Sequence, residues 1–195
     1  MKPDFLIWMF DSQFPHACSL EPMEGFEEVF HLWAGEKLEQ QFPTNARFTM
    51  RADRPTATVL TDSLHNNQRL LVISEGLKEF LQASDVPQLE FLKVAVRNHK
   101  GKVVPEKYYI INPLDPVDCL DRVASKAKVS RINKNRIDSI KKLVLNPSAL
   151  PGDRRMFRIA SFPPVHLVRR DLSDAITKKG FTGIRWLETS KYPEK

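Results

Sequence analysis

The sequence predicts an α+β protein with mixed or antiparallel sheets, built around two strand–helix–strand modules at residues 71–94 and 166–189. In each module an apolar strand runs directly into a segment with apolar residues at helical spacing, and an alternating strand follows. The two modules align without a gap, residue 71 with residue 166. A generic strand–helix–strand pattern arising twice by chance is the alternative to a true repeat.

The first module begins with a continuous apolar strand that ends at Ile73. Ser74 is a favourable N-cap, and Leu77, Phe80 and Leu81 then fall on one helical face. The segment 89–96 alternates apolar and polar residues, which is typical of a half-buried strand.

The second module repeats this order, with His166 to Val168 as its first strand. Leu172 and Ile176 occupy the apolar helical positions, and Gly180 is placed to end the helix. The His166 side chain is interpreted as a packed or strand-edge residue.

Outside the modules the pattern predicts short elements separated by turn residues. We expect one domain over residues 1–195, of one lobe or two, with residues 1–68 packed on residues 69–195. The predicted elements are strands at 4–10, 47–51, 103–111, 140–145 and 156–160, a partly helical stretch at 27–41 interrupted by Gly35, and a loop over most of 52–67.

Two features of the composition predict a cytoplasmic protein. The only cysteines are Cys18 and Cys119, which suit buried thiols in a reducing compartment better than one long-range disulfide. The apolar run 5–10 is too short for a signal sequence or a membrane span. We therefore expect no membrane association.

The charge is divided unevenly along the chain. Residues 1–97 carry 9 Lys/Arg against 14 Asp/Glu, a net of −5, whereas residues 98–195 carry 21 against 10, a net of +11. Such polarity favours a charged partner, and acidic protein, nucleic acid or anionic lipid would all suit the basic half.

The strongest local cluster of polar residues is Asp115, Asp118 and Asp121 around Cys119. Carboxylates at this spacing can cap turns, contact a partner or ligate a divalent cation. The glycine and terminal glutamate of a calcium-binding EF-hand loop are missing, so turn capping is the first interpretation and partner binding the second.

No motif supplies catalytic chemistry. The sequence lacks phosphate-binding glycine loops, a nucleophile elbow and zinc spacing among its five histidines. We expect no enzyme activity and no cofactor, although an enzyme using residues 115–121 stays open as the least favoured alternative.

Basic residues concentrate between Lys126 and Arg155, a stretch without aromatic side chains. This disfavours a base-stacking platform for single strands. A solvated face is the first interpretation, followed by contact with an acidic protein and then by a nucleic-acid-binding module.

Several stretches together resemble immunity family eleven of bacterial polymorphic toxin systems. The resemblance runs from Leu70 to Glu188 and rests on LLVISEGLKEFL, YYIINPLDPVDCLDR, KLVLNPSAL, MFRI and GFTGIRWLE. It implies a small cytoplasmic immunity protein that binds and neutralises a cognate toxin, often encoded beside it. It supplies no catalytic residues, and the acidic N-terminal half could face a basic toxin.

Overall fold

The computed structural model describes residues 4–194, which form twelve strands and three α-helices. The strands are β1 (Phe5–Phe10), β2 (Ser19–Leu20), β3 (Arg47–Thr49), β4 (Ser63–Asn66), β5 (Leu71–Ser74), β6 (Leu89–Arg97), β7 (Tyr108–Pro113), β8 (Lys128–Val129), β9 (Ile137–Ser139), β10 (Met156–Arg158), β11 (His166–Arg169) and β12 (Ile184–Glu188). The helices are α1 (Val29–Ala34), α2 (Glu75–Ala83) and α3 (Arg170–Lys178), and short 3-10 turns lie at Pro147–Ala149 and Thr189–Lys191.

The first module, β5–α2–β6, belongs to a mixed six-stranded sheet of order β2-β4-β5-β7-β6-β3. Its two strands do not pair with each other, because β7 lies between them and is antiparallel to both. The helix begins as predicted, since the Ser74 hydroxyl accepts a hydrogen bond from the Leu77 amide at 3.3 Å.

The second module, β11–α3–β12, has the same arrangement with a different central strand. Here β1, from the other end of the chain, lies between β11 and β12 and is antiparallel to both, in a sheet of order β10-β11-β1-β12. The modules therefore share a local plan, but one is completed by the next strand along the chain and the other by the first strand.

Alternation along the strands divides the apolar side chains among three cores. The core between the modules receives Leu71 and Ile73 from β5 and Val168 from β11, together with the apolar faces of both helices. The opposite face of the six-stranded sheet packs against residues 23–46, and the opposite face of the four-stranded sheet packs against residues 117–165. Period-two alternation explains this division, because successive strand residues point to opposite faces.

The predicted α+β class with two strand–helix–strand modules is confirmed. The strand predicted at 140–145 is wrong: Ile140 and Leu143 are buried, but they lie in irregular chain after a short β9. The loop predicted over 52–67 also contains β4, which pairs with β5. The sequence of β4, SLHN, is mostly polar and therefore gave no strand signal. Within residues 4–194 no helix has both the length and the apolar character needed to cross a membrane.

Candidate functional site

The predicted aspartates lie on the acidic segment, residues 114–121, which leaves the end of β7 and crosses to the four-stranded sheet. The Leu114 amide donates to the Gln88 carbonyl at 2.8 Å, and the Val117 amide donates to the Arg158 carbonyl at 2.9 Å. Cys119 and Leu120 point into the core beneath. The acidic segment is therefore held at its start and its middle, and its far end is held by the Asp121 amide, which donates to the Val144 carbonyl at 2.9 Å. Its carboxylates are left at or near the surface.

A close approach by the end of α1 also positions the acidic segment. Gly35 adopts a left-handed φ of +68°, and a Cβ there would lie 2.7 Å from Pro116 Cδ and 2.8 Å from the Pro113 carbonyl oxygen. Only glycine suits this position, because it tolerates both the dihedral and the contact.

Buried Glu90 fixes the chain that follows Gly35. Its carboxylate accepts hydrogen bonds from the Leu38 amide at 2.9 Å, from the Glu39 amide at 2.6 Å and from Asn112 Nδ2 at 2.9 Å. Asn112 Nδ2 also donates to the Glu36 carbonyl at 2.7 Å. This network joins residues 36–39 to neighbouring positions on β6 and β7, directly beside the acidic segment.

The three aspartates do not share one environment. Asp115 and Asp118 have 70% and 62% of their side-chain surface exposed. Asp115 Oδ2 lies 3.9 Å from Arg154, whereas Asp118 lies 3.6 Å from Arg122 and accepts a hydrogen bond from Ser161 at 3.3 Å. Two carboxylates are therefore available to another molecule.

Asp121 has a local structural role. Its Oδ1 accepts a hydrogen bond from the Ala124 amide at 2.9 Å, and its carbonyl accepts one from the Ser125 amide at 2.9 Å. This is the turn-capping use that the sequence favoured. Among residues 4–194, no group of three His, Cys, Asp or Glu side chains converges in a way that could hold a metal ion.

The segment after Asp121 is mostly exposed, and we call it the basic hairpin, residues 122–142. Strands β8 and β9 pair antiparallel within it, with a register shift at Lys128 and Val129. Ile137 and Ile140 anchor its base in the core. Eight cations lie along it: Arg122, Lys126, Lys128, Arg131, Lys134, Arg136, Lys141 and Lys142.

Most of these cations form no ion pair with the residues that the structure describes. Within residues 4–194, Arg122 is the only one of the eight in an ion pair, and Arg136 instead lies over the Trp33 ring at 5.4 Å. Three apolar side chains accompany them in solvent, because Val123 is 89% exposed, Val129 is 42% exposed and Ile132 is 99% exposed. Exposed apolar groups in the same segment as unpaired charges are typical of a contact surface for another macromolecule.

The cysteines are buried free thiols, as expected. Burial raises the pKa of Cys18 to about 11 and that of Cys119 to about 12, so neither is a nucleophilic thiolate near neutral pH. Cys119 thus contributes packing, and the acidic segment around it has no activated nucleophile.

The sequence did not indicate the Glu90 network, the exposure of the apolar residues of the basic hairpin or the buried pair formed by Arg158 and His166. Arg158 did carry a signal. It stands two residues from Met156 on a short apolar strand, and therefore on the same face as a core residue.

Comparison with known proteins identifies the family. No curated protein sequence matches the chain. A family model described as "Immunity protein family (Imm11)" matches residues 11–191. This match confirms the resemblance inferred for Leu70 to Glu188 and extends it toward the N-terminus as far as residue 11. The chain belongs to the Imm11 immunity protein family.

Proposed function

We propose that this protein neutralises a cognate toxin by binding it, without chemistry of its own. The observation that carries the proposal is the family match over residues 11–191. A stoichiometric inhibitor acts by covering a surface of its target and needs no reactive groups. The toxin is expected to be encoded nearby, and protection to operate in the cytoplasm of the producing cell.

The interface that we propose combines the acidic segment with the basic hairpin. Asp115 and Asp118 would contact the toxin directly, and Asp121 would hold the turn that joins the two surfaces. Val123 and Ile132 supply apolar contact area, and the unpaired cations supply complementarity to acidic groups on the toxin. Charges around an apolar centre speed association and fix orientation, whereas apolar contact supplies most of the affinity.

Co-expression with the adjacent toxin gene tests the proposal. We expect growth to be restored and the two proteins to purify as one complex. Continued growth arrest with the protein well expressed would show that it does not neutralise that toxin.

The interface has its own test in the same system. Ile132→Glu should weaken the complex by about tenfold or more, since it places a charge in an apolar contact. Val103→Glu is the matched control, because Val103 is also exposed, at 59%, but lies outside the basic hairpin and the acidic segment. Equal affinity of both variants for the toxin would show that the interface lies outside the basic hairpin. That result would not affect the proposal that the protein neutralises the toxin.

A second candidate function is nucleic-acid binding by the basic hairpin, and its unpaired cations favour it. Binding of this kind falls steeply with salt, because cations displace condensed counterions from the phosphates. Fluorescence anisotropy with labelled duplex and single-stranded oligonucleotides at about 50 mM salt tests it. A signal absent there excludes this function, whereas binding that Lys126→Glu and Lys128→Glu abolish supports it.

A further inference from the structure

Two adjoining cavities form a groove that begins at the basic hairpin. The smaller cavity, of about 200 Å³, is lined by Trp33, Asn67, Gln68, Arg69, Arg136 and Pro164. The larger cavity, of about 620 Å³, extends to the end of β1 and to residues 192–194. Asn67, Arg69 and Pro164 line both cavities, so the two form one continuous surface, which we call the groove.

The smaller cavity has two arginines in its lining. Arg136 comes from the basic hairpin, and its guanidinium carbon lies 5.4 Å from the centre of the Trp33 ring. Arg69 comes from the turn between β4 and β5, is exposed, and makes one long side-chain contact of 3.5 Å with the Tyr192 hydroxyl. Among the described residues that line this cavity none is acidic, and neither arginine forms an ion pair within residues 4–194. Two unpaired guanidinium groups at one small cavity favour an anionic group between them.

The backbone at Arg69 adopts an uncommon conformation. Its φ is +54°, in the left-handed region that residues with a large side chain rarely occupy. Buried Asn66 fixes the turn, because its side chain accepts a hydrogen bond from the Leu70 amide at 3.0 Å and donates one to the Leu70 carbonyl at 2.7 Å. The turn therefore holds Arg69 at the groove in an unfavourable conformation, and such conformations concentrate at functional positions.

The larger cavity has a different character. Its half-buried walls include Met9, Phe10 and Tyr192. The charges at its far end cancel, because Arg185 Nη1 lies 2.7 Å from Glu194 Oε1. The groove is therefore positive at the end beside the basic hairpin, and largely apolar without net charge at the other end.

We propose that the groove receives a segment of the cognate toxin in which a carboxylate side chain lies near an apolar one. The carboxylate meets Arg69 and Arg136, and the apolar side chain enters the larger cavity. This inference rests on the proposed function and deepens it by naming the chemistry of the toxin segment. A nucleic acid fits the groove less well, because it carries a phosphate at every nucleotide and would bring negative charge toward Glu194.

Biolayer interferometry with immobilised toxin tests the inference, because it measures the association and dissociation rate constants separately. Arg136→Gln should raise the dissociation constant of the complex about tenfold or more, since Arg136 is half-buried. Arg69→Asn should raise it about twofold to fivefold, because Arg69 is exposed, and asparagine tolerates the left-handed conformation. Most of the loss should appear as faster dissociation, which is the effect of removing a seated charge pair.

Lys100→Gln is the matched control. Lys100 is an exposed cation outside the groove, the basic hairpin and the acidic segment, and its loss should change either rate constant by less than about twofold. Asn67→Trp keeps both arginines but places a large side chain where the two cavities meet, and it should raise the dissociation constant about tenfold or more. Arginine variants that only slow association, together with normal affinity in Asn67→Trp, would indicate long-range attraction and overturn the inference.

The remaining outcomes separate this inference from toxin neutralisation. Wild-type affinity in Arg69→Asn, Arg136→Gln and Asn67→Trp overturns the inference while the proposed function stands, because the complex still forms. A wild-type protein that forms no complex with the toxin overturns both. Oligonucleotide binding, or self-association, that these variants abolish while toxin affinity stays normal assigns the groove to another occupant and also overturns the inference. Should Arg136→Gln or Asn67→Trp fail to fold, the exposed change Arg69→Asn against Lys100→Gln decides.

Discussion

Glu90 provides the sharpest test of how the fold holds the acidic segment in place. Glu90→Ala removes the acceptor of the Leu38 and Glu39 amides and of Asn112 Nδ2. Glu39 is exposed, so water can accept the hydrogen bond of its amide in place of Glu90. Asn112 Nδ2 still donates to the Glu36 carbonyl. The Leu38 amide has no substitute, since Leu38 is 1% exposed.

The expected cost follows from these contacts. One buried donor left unsatisfied costs about 1–3 kcal/mol, and the loss of the other charged hydrogen bonds adds to it, for a total of about 2–4 kcal/mol. Glu90→Gln keeps one acceptor oxygen but replaces the other with an NH2 group, which faces N–H donors and cannot accept their hydrogen bonds. This variant should lower the free energy of unfolding by about 1–2 kcal/mol. Urea unfolding followed by circular dichroism measures both values.

Glu79→Ala is the matched control, because Glu79 is exposed on α2. It should change the free energy of unfolding by no more than about 0.5 kcal/mol. A Glu90→Ala variant as stable as this control would refute the assignment of Glu90 as the acceptor that fixes residues 36–39.

Four further outcomes follow from the structure. Gly183→Ala should lower the free energy of unfolding by about 2 kcal/mol or more, because the added Cβ would lie 2.4 Å from the Ser63 carbonyl oxygen at a φ of +78°. Urea unfolding that shows no loss of stability would contradict this contact. Arg158→Met should raise the melting temperature, because an apolar side chain replaces a buried unpaired charge. A lower melting temperature would show that the guanidinium is satisfied. Burial holds the pKa of His166 well below 6.5, so the unfolded chain binds the proton more tightly. The contribution of neutral His166 to the free energy of unfolding is therefore complete above pH 6.5, and below that pH it falls by up to about 1.4 kcal/mol per pH unit. His166→Phe should reduce this slope in urea titrations at several pH values. Cys18 and Cys119 should react with a thiol reagent only after unfolding, and rapid labelling of the native protein would contradict their burial.

Local pattern was enough to predict the modules, because their signals lie within a few residues of one another. The Ser74 cap and the spacing of Leu77 and Leu81 define α2 without reference to any distant residue. The placement of β1 between β11 and β12 is different. It depends on pairing Trp8 with Trp186, and nothing in either segment alone specifies that partner.

The acidic segment was recognised from its composition, but its support was not. Gly35 and Glu90 hold it through contacts between residues far apart in the chain, and each looks ordinary in its own context. The same limit applies to the buried pair of Arg158 and His166. Arg158 and His166 lie in separate strands, and only the β10–β11 register brings their unpaired atoms together.

The most direct test of toxin binding is a titration of the purified cognate toxin with this protein while toxin activity is followed. Stoichiometric inhibition predicts a linear fall in activity that ends at one-to-one binding, with Ile132→Glu shifting the curve to higher concentration and Val103→Glu leaving it unchanged. Full toxin activity in the presence of excess folded protein would contradict the account.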